Sequence, residues 1–181
     1  MSSDVLTVRA AAAGDAPAIA RVHRESWRTT YAGILPLDVI ARHAGHRSEA
    51  WWRRRLSQTA PGAATWVAER ASAGIVGLAS CGEARAALQG LDAEIYELYV
   101  LQGHQRRGVG RELVRECARH FVRHGLFGFY LWVLKANRAR LFYEAIGGEA
   151  IAERTERLGK HDFGEVAYGW TDLTGLVAPG E

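Results

Sequence analysis

Between Glu97 and Cys117 the chain reads ELYVLQGHQRRGVGRELVREC. An apolar stretch runs into a polar turn carrying Gly103, Gly108 and Gly110, and a helical pattern begins at once. Val109, Leu113, Val114, Cys117, Phe121 and Val122 recur near a 3.6-residue period and mark the helix's apolar face. Arg111, Arg115, Arg119 and Arg123 follow at four-residue steps on another face, the pattern of a solvated surface. A strand that enters a helix through bare backbone puts free N–H groups and a helix dipole where an anion can meet them. Three phosphate-binding designs compete for the stretch. A Walker loop needs G-x-x-x-x-G-K-[ST]; from Gly103 the frame reaches Gly108 and continues as Val109-Gly110, without the lysine and the hydroxyl. A dinucleotide fingerprint started at Gly108 has Leu113 where its last glycine belongs. The pattern Q/R-x-x-G-x-G/A is met in full by Gln105-Arg106-Arg107-Gly108-Val109-Gly110. The plain alternative is a glycine-rich turn that binds nothing.

The length of 181 residues suits one domain over 1–181, with a sizeable core. Lys+Arg number 23 against 20 Asp+Glu, scattered among one another, so a small anionic ligand fits better than nucleic acid. Cys81 and Cys117 form no C-x-x-C pair, which argues against a disulfide framework or a structural zinc. The N-terminus has no signal-peptide pattern and no apolar run could span a bilayer, so the expectation is a cytoplasmic protein without a membrane partner.

Along the chain, residues 5–11 read as a first strand, and Asp15 as the N-cap of a helix over 16–31. Pro36 opens a second helix, and 48–58 form a third. Residues 64–70 and 74–84 are predicted strands joined by a tight turn at Ala73-Gly74; 84–93 is a connector and 94–101 the next strand. Residues 127–134 are apolar on both faces, as a covered central strand is. A short helix over 138–146 ends at Gly147-Gly148, and 149–158 pairs with 164–173 in a hairpin around GKHDFG. This order predicts an α+β, or mixed α/β, domain with one parallel strand–helix–strand crossover.

In this context, LYVLQGHQRRGVGREL resembles the acyl-CoA motif of the GNAT superfamily of acyl-CoA-dependent N-acetyltransferases, and NRARLFYEAIGG resembles its N-x-A-R-x-F-Y-E-x-G-G segment. SWRTTYAGILP and VAYGWTDL are similar to one bacterial branch, so the resemblance covers roughly residues 5–174. It implies the GNAT fold: a central, mostly antiparallel sheet with one parallel crossover and helices on both faces. It also implies acetyl-CoA as cosubstrate, no metal, and a homodimer as a common assembly. The amides of Gln105, Arg106, Arg107, Gly108, Val109 and Gly110 would hold the CoA pyrophosphate, with the Arg106, Arg107 and Arg111 side chains as cationic support. The backbone of Leu98, Tyr99 and Val100 would bond the pantetheine arm, and Asn137 and Arg140 would lie along the cofactor. Asn137 reads equally as a helix N-cap.

Acetyl transfer needs a neutral amine, and with a pKa near 10.4 only about one amine in a thousand is neutral at pH 7. Glu97, in YELYV, resembles the family's glutamate that receives the proton; Glu94 is the second candidate. A regular strand would point these two, three residues apart, to opposite faces unless a bulge shifts the register. Tyr143 matches the family's tyrosine that protonates the departing thiolate, and an amide near Val100 would polarise the thioester carbonyl. Trp27 and Tyr31 would wall the acceptor pocket or serve the core. The pairs His120/His124 and His43/His46 lack a third metal ligand at motif spacing. The expectation is an N-acetyltransferase that moves an acetyl group from acetyl-CoA to a primary amine of a small molecule by direct attack in a ternary complex. That acceptor would be a compact amine with an apolar or aromatic portion. The rivals are a protein or peptide N-acetyltransferase, a CoA-binding module without catalysis, and a nucleic-acid binder using the arginine face of the 111–123 helix.

Overall fold

A computed structural model describes residues 4–58 and 62–178. Its β-branched and aromatic runs form seven strands: β1 (Leu6–Ala10), β2 (Ala64–Arg70), β3 (Gly74–Leu88), β4 (Leu91–Val100), β5 (Phe129–Leu134), β6 (Glu149–Leu158) and β7 (His161–Trp170). They join in one sheet of order β1-β2-β3-β4-β5-β7-β6. Every pair is antiparallel except β4 with β5. That parallel pair is bridged by α4 (Val109–Arg123), the amphipathic helix that follows the glycine turn.

The helices α1 (Ala16–Tyr31), α2 (Leu37–His46) and α3 (Glu49–Ser57) cover one face, and α4, α5 (Arg140–Ala145) and α6 (Thr174–Val177) cover the other. On the α4 face, Leu113, Val114, Cys117 and Phe121 pack on Val76, Ile95, Phe129, Tyr168 and Trp170. On the α1 face, Ile19, Val22 and Trp52 pack on Val67 and Leu78, while α2 places Val39 and Ile40 against Leu134. Val122 is on the rim of the α4 stripe and is partly exposed. Cys81 and Cys117 are both free and fully buried, and burial pushes the Cys117 thiol up.

Three local expectations change. The stretch 84–93 is not a connector: β3 runs on to Leu88, turns through Gln89-Gly90, both at positive φ, and returns as β4 from Leu91. Alanines at 84, 86 and 87 carry no polar–apolar alternation, so pairing with the neighbouring strand decides their conformation there. Asp15 does not cap α1 with its side chain; a 3-10 turn over Ala13–Asp15 leads in, and the Asp15 carboxylate accepts from Arg9 at 2.7 Å and from the Ala12 amide at 2.8 Å. The last hairpin turns at Gly159-Lys160, tighter than GKHDFG suggested, because His161–Gly164 already belong to β7.

Trp170 ties β7 to β5 and to the end of α5. Its ring stacks on Phe129 at 4.7 Å, and its indole N–H donates to the Ile146 carbonyl at 3.0 Å. Replacing it with alanine empties a fully covered site and leaves that carbonyl unmet. Trp170→Ala is expected to cost about 3–5 kcal/mol, read as a lower urea midpoint at unchanged slope.

Candidate active site

The site begins where two strands part. β4 and β5 pair only at Ala93–Phe129 and Glu94–Tyr130, although β4 continues to Val100 and β5 to Leu134. Beyond Glu94 the β5 side of β4 therefore has no strand beside it. At its far end the Gln105 side chain donates to the Val100 carbonyl at 3.0 Å.

A bulge falls at the mouth of this gap. On β3, Ser80 opposes Glu97 while the next residue, Cys81, opposes Ile95, so Tyr96 is the extra residue. Ile95 and Leu98 both pack toward α4, which turns Tyr96 and Glu97 together to the opposite face. Gly82 makes the room: a Cβ there would come within 2.7 Å of the Tyr96 hydroxyl. Glu94 shares this face, where it meets Tyr130. The bulge thus brings the two candidate glutamates to one side of the sheet, where a regular strand would have separated them.

Both carboxylates are held. Glu97 accepts from Arg47 Nε and from Ser80 Oγ, each at 2.9 Å, and the Arg47 guanidinium lies 4.1 Å over the Trp51 ring. Glu94 is almost wholly buried and accepts from the Arg85 amide and Nε at 3.1 Å, from Arg85 Nη2, and from Tyr130 at 3.4 Å. Arg47, Ser80, Arg85 and Tyr130 were not singled out from sequence. Arg47 is fifty positions from its partner, and only the fold joins them.

Across the gap from β4 stands α5. The Asn137 side chain accepts from the Ala139 amide at 2.9 Å, and one-turn bonds from Arg140, Leu141 and Phe142 back to residues 137–139 start the helix there. Asn137 thus closes the turn that leads into α5 and is not its N-cap, a position that Ala139 holds without a side-chain bond. Tyr143 is buried, and burial pushes its phenol well up, with nearby Tyr31 adding to the shift. It keeps its proton at neutral pH. The Arg140 guanidinium donates to the Tyr168 hydroxyl at 3.2 Å and to the Lys135 carbonyl at 3.0 Å.

From the α1 side, Trp27 donates to the Tyr99 hydroxyl at 2.9 Å, stacks on His43 at 5.1 Å and touches Tyr31 at 4.4 Å. Burial pushes the Tyr31 phenol up to about 12, partly offset by its polar neighbours Tyr99 and Asn137. His23 packs edge-on against Tyr99, and its burial, with Arg47 nearby, lowers its pKa to about 3. It is neutral, and its Nδ1 has no partner among the described residues. Trp27, Tyr31, Tyr99, Asn137 and Tyr143 thus converge, while Tyr99 can face the gap only through its backbone.

At the other end of the gap is the glycine turn. Gly108 has φ +80°, a left-handed conformation in which other residues are strained, and open space where a Cβ would go. Arg106 takes φ +58° without being glycine. The N–H groups of residues 106–111 meet no acceptor among the described residues, and they open a fifteen-residue helix. Such a turn suits an anion. Arg106, Arg107 and Arg111 are exposed beside it. Gly110 also serves the packing: a Cβ there would press on Phe142 at 3.2 Å, so α4 and α5 approach because it is absent. Arg115 and Arg119 are tied to Glu112 and Glu116, which disperses the arginine face a nucleic-acid backbone would need. Among the described residues no group of three metal-ligating side chains gathers, and no helix is long and apolar enough to cross a membrane.

Known proteins are similar in sequence or in fold. The family model described as the acetyltransferase (GNAT) family matches residues 19–147. The Bacillus subtilis (strain 168) protein YuaI, described as an uncharacterized N-acetyltransferase, is 34% identical over 172 residues, 95% of this chain and 96% of that protein. The PaiA N-acetyltransferase of Thermoplasma acidophilum, solved in complex with coenzyme A, superposes with a TM-score of 0.71 at 22% identity, over 90% of this chain and 98% of that one. A putative acetyltransferase from Salmonella typhimurium, YncA, solved with acetyl-CoA, gives 0.67 at 22% identity, over 92% and 94%. The last two show likeness of fold alone.

Gly108→Val forces a β-branched residue into a left-handed conformation at the turn, with no side-chain clash to disturb the core. Expected outcome: affinity for coenzyme A falls at least about tenfold by calorimetric titration, while the far-ultraviolet circular dichroism is unchanged. Wild-type affinity in the folded variant would remove the turn from the binding site.

Proposed function

The chain belongs to the GNAT acetyltransferase family and is an acyl-CoA-dependent N-acetyltransferase; we propose that its acceptor is the primary amine of a small molecule, acetylated by direct attack in a ternary complex. The observation that carries this reading is the gap between β4 and β5, flanked by Glu97 on one side and Tyr143 on the other, with unmet amides at its end. The edge of β4 along Leu98, Tyr99 and Val100 that faces away from β3 has no strand beside it and suits a ligand that lies in the gap as an amide-bearing arm. The turn from Gln105 to Gly110 suits its pyrophosphate, with Arg106, Arg107 and Arg111 as diffuse positive charge. Acetyl-CoA supplies an activated thioester.

In this reading Glu97 receives the proton of the acceptor's ammonium, directly or through water. Its carboxylate has two oxygens with two lone pairs each, and Arg47 and Ser80 occupy one site on each oxygen, so acceptor sites remain. The amine nitrogen then bonds the acetyl carbon as the carbon–sulfur bond breaks. Tyr143, fully protonated because it is buried, hands its proton to the sulfur. Glu94 is spoken for by Arg85, deeper than Glu97, which makes it a structural acid and leaves Glu97 as the base. Asn137 and Arg140 brace the α5 end of the gap and lie along the bound arm. Trp27 and Tyr31 wall the acceptor side, where their aromatic surface suits the apolar part of a small amine better than an open peptide track.

Two measurements test the roles. Tyr143→Phe should lower kcat by roughly 10²-fold with little change in coenzyme A affinity, as loss of a proton donor does; wild-type turnover would return Tyr143 to the core. Glu97→Gln should depress kcat/KM most at neutral pH and progressively less toward alkaline pH, where free amine is abundant. A variant profile parallel to that of wild type would reject Glu97 as the base.

A further inference from the structure

On the sheet face that carries Glu97, acids and bases are layered. Glu97, Glu94 and Glu165 are 10%, 1% and 13% exposed, while their partners Arg47, Arg85 and Arg154 are 35%, 65% and 42% exposed. Each carboxylate sits beneath a guanidinium. What meets solvent above these three carboxylates is therefore guanidinium, and the exposed acid beside them is Glu156, 3.8 Å from Arg154. Glu94 and Glu97 thus present little acidic surface of their own to an incoming cation.

A cavity of about 100 Å³ opens on this face, at the point where β4 and β5 part. Glu94 and Tyr130, the last paired residues, form its floor. Trp132 forms one wall with the Arg154 guanidinium 4.1 Å over its ring, and Arg85 and Leu88 on the β3–β4 arm form the other. Arg154 spends its Nε on Glu165 at 2.7 Å and has Glu156 3.8 Å from Nη2, and Arg85 spends Nε and Nη2 on Glu94. Each keeps donors that these bonds do not use, because a guanidinium has five.

We infer that the acceptor is an amine that also bears a carboxylate, its nitrogen directed to Glu97 and its carboxylate held in this cavity by Arg154 and Arg85. The inference rests on the acetyl-transfer reading above and adds the acceptor's chemical class. An ammonium alone would meet three guanidiniums on its way in. A zwitterion meets them with its own anion, and its apolar middle lies on Trp132. A polyamine, with further positive charges and no anion, is disfavoured on the same ground.

The test compares matched acceptors: phenylalanine with phenethylamine and phenylalaninamide, methionine with 3-(methylthio)propylamine, and phosphoethanolamine with ethanolamine to separate carboxylate from phosphate. Thiol release from acetyl-CoA by the full chain is expected to favour the carboxylated member at least about tenfold in kcat/KM. Arg154→Gln should bring that ratio close to one through KM. Arg85→Gln alone strands buried Glu94 and can unfold the chain, so the double variant Arg85→Gln/Glu94→Gln serves as the second probe. Binding is read separately by titrating N-acetylphenylalanine and its amide while following the Trp132 indole N–H resonance, assigned with Trp132→Phe. Selective movement by the acid supports the proposal even where no amine in the panel turns over, an outcome that would instead count against the acetyl-transfer reading. Equal or greater use of the decarboxylated amines, a preference for phosphate, or an indole resonance that does not distinguish acid from amide would overturn it.

Discussion

A β-strand inside a sheet cannot leave its amides and carbonyls unmet without cost. The whole molecule is arranged around one place where it does. After two bonded residue pairs β4 leaves β5, and the sheet is held together past that point by other means. β5 is fastened along its length to β7, β4 along its length to β3, and α4 spans the break from beneath. The aromatic rings of Phe129 and Trp170 and the buried faces of Leu113 and Phe121 keep the two halves from closing or drifting apart. The gap is thus a slot with polar backbone on one wall, and among the described residues a side-chain partner for that wall comes from Gln105 at its end.

The side chains beside the slot are placed by a second irregularity, the extra residue at Tyr96. Without it, Glu94 and Glu97 would face different layers and one of them would lie in the α4 core. With it, both share the α1 side, and each acquires an arginine: Arg85 from the facing arm of the β3–β4 hairpin, nine residues away, and Arg47 from the distant link between α2 and α3. A buried carboxylate without such a partner would be costly enough to threaten folding. The same ion pairs that make the glutamates tolerable also determine what charge an incoming molecule first encounters.

What could be read from sequence follows how local each feature is. The glycine turn is legible because its requirement, φ +80° at Gly108 and bare amides opening a helix, is met within six residues. The helices and most strands were legible for the same reason. The shared face of Glu94 and Glu97 was not, because the bulge is fixed by the register of β4 against β3 and by the space above Gly82, neither of which spacing along one strand reveals. The β3–β4 arm was missed because a run of alanines has no period to recognise. Arg47, Arg85, Trp132 and Arg154 come from four different elements or links, and only the folded sheet shows that they lie on one face.

The burial of Cys81 and Cys117 has a practical corollary. Both sulfurs lie inside the α4 face with no exposed surface, and the Cys117 thiol is held away from its reactive thiolate form. A chromogenic disulfide reagent added to the native protein therefore registers only the coenzyme thiol set free by turnover. When the core opens, two further equivalents per chain become visible. One reagent thus counts product in the cold and unfolded molecules on heating, and the molecule carries its own internal gauge of whether a silent variant is inactive or merely denatured.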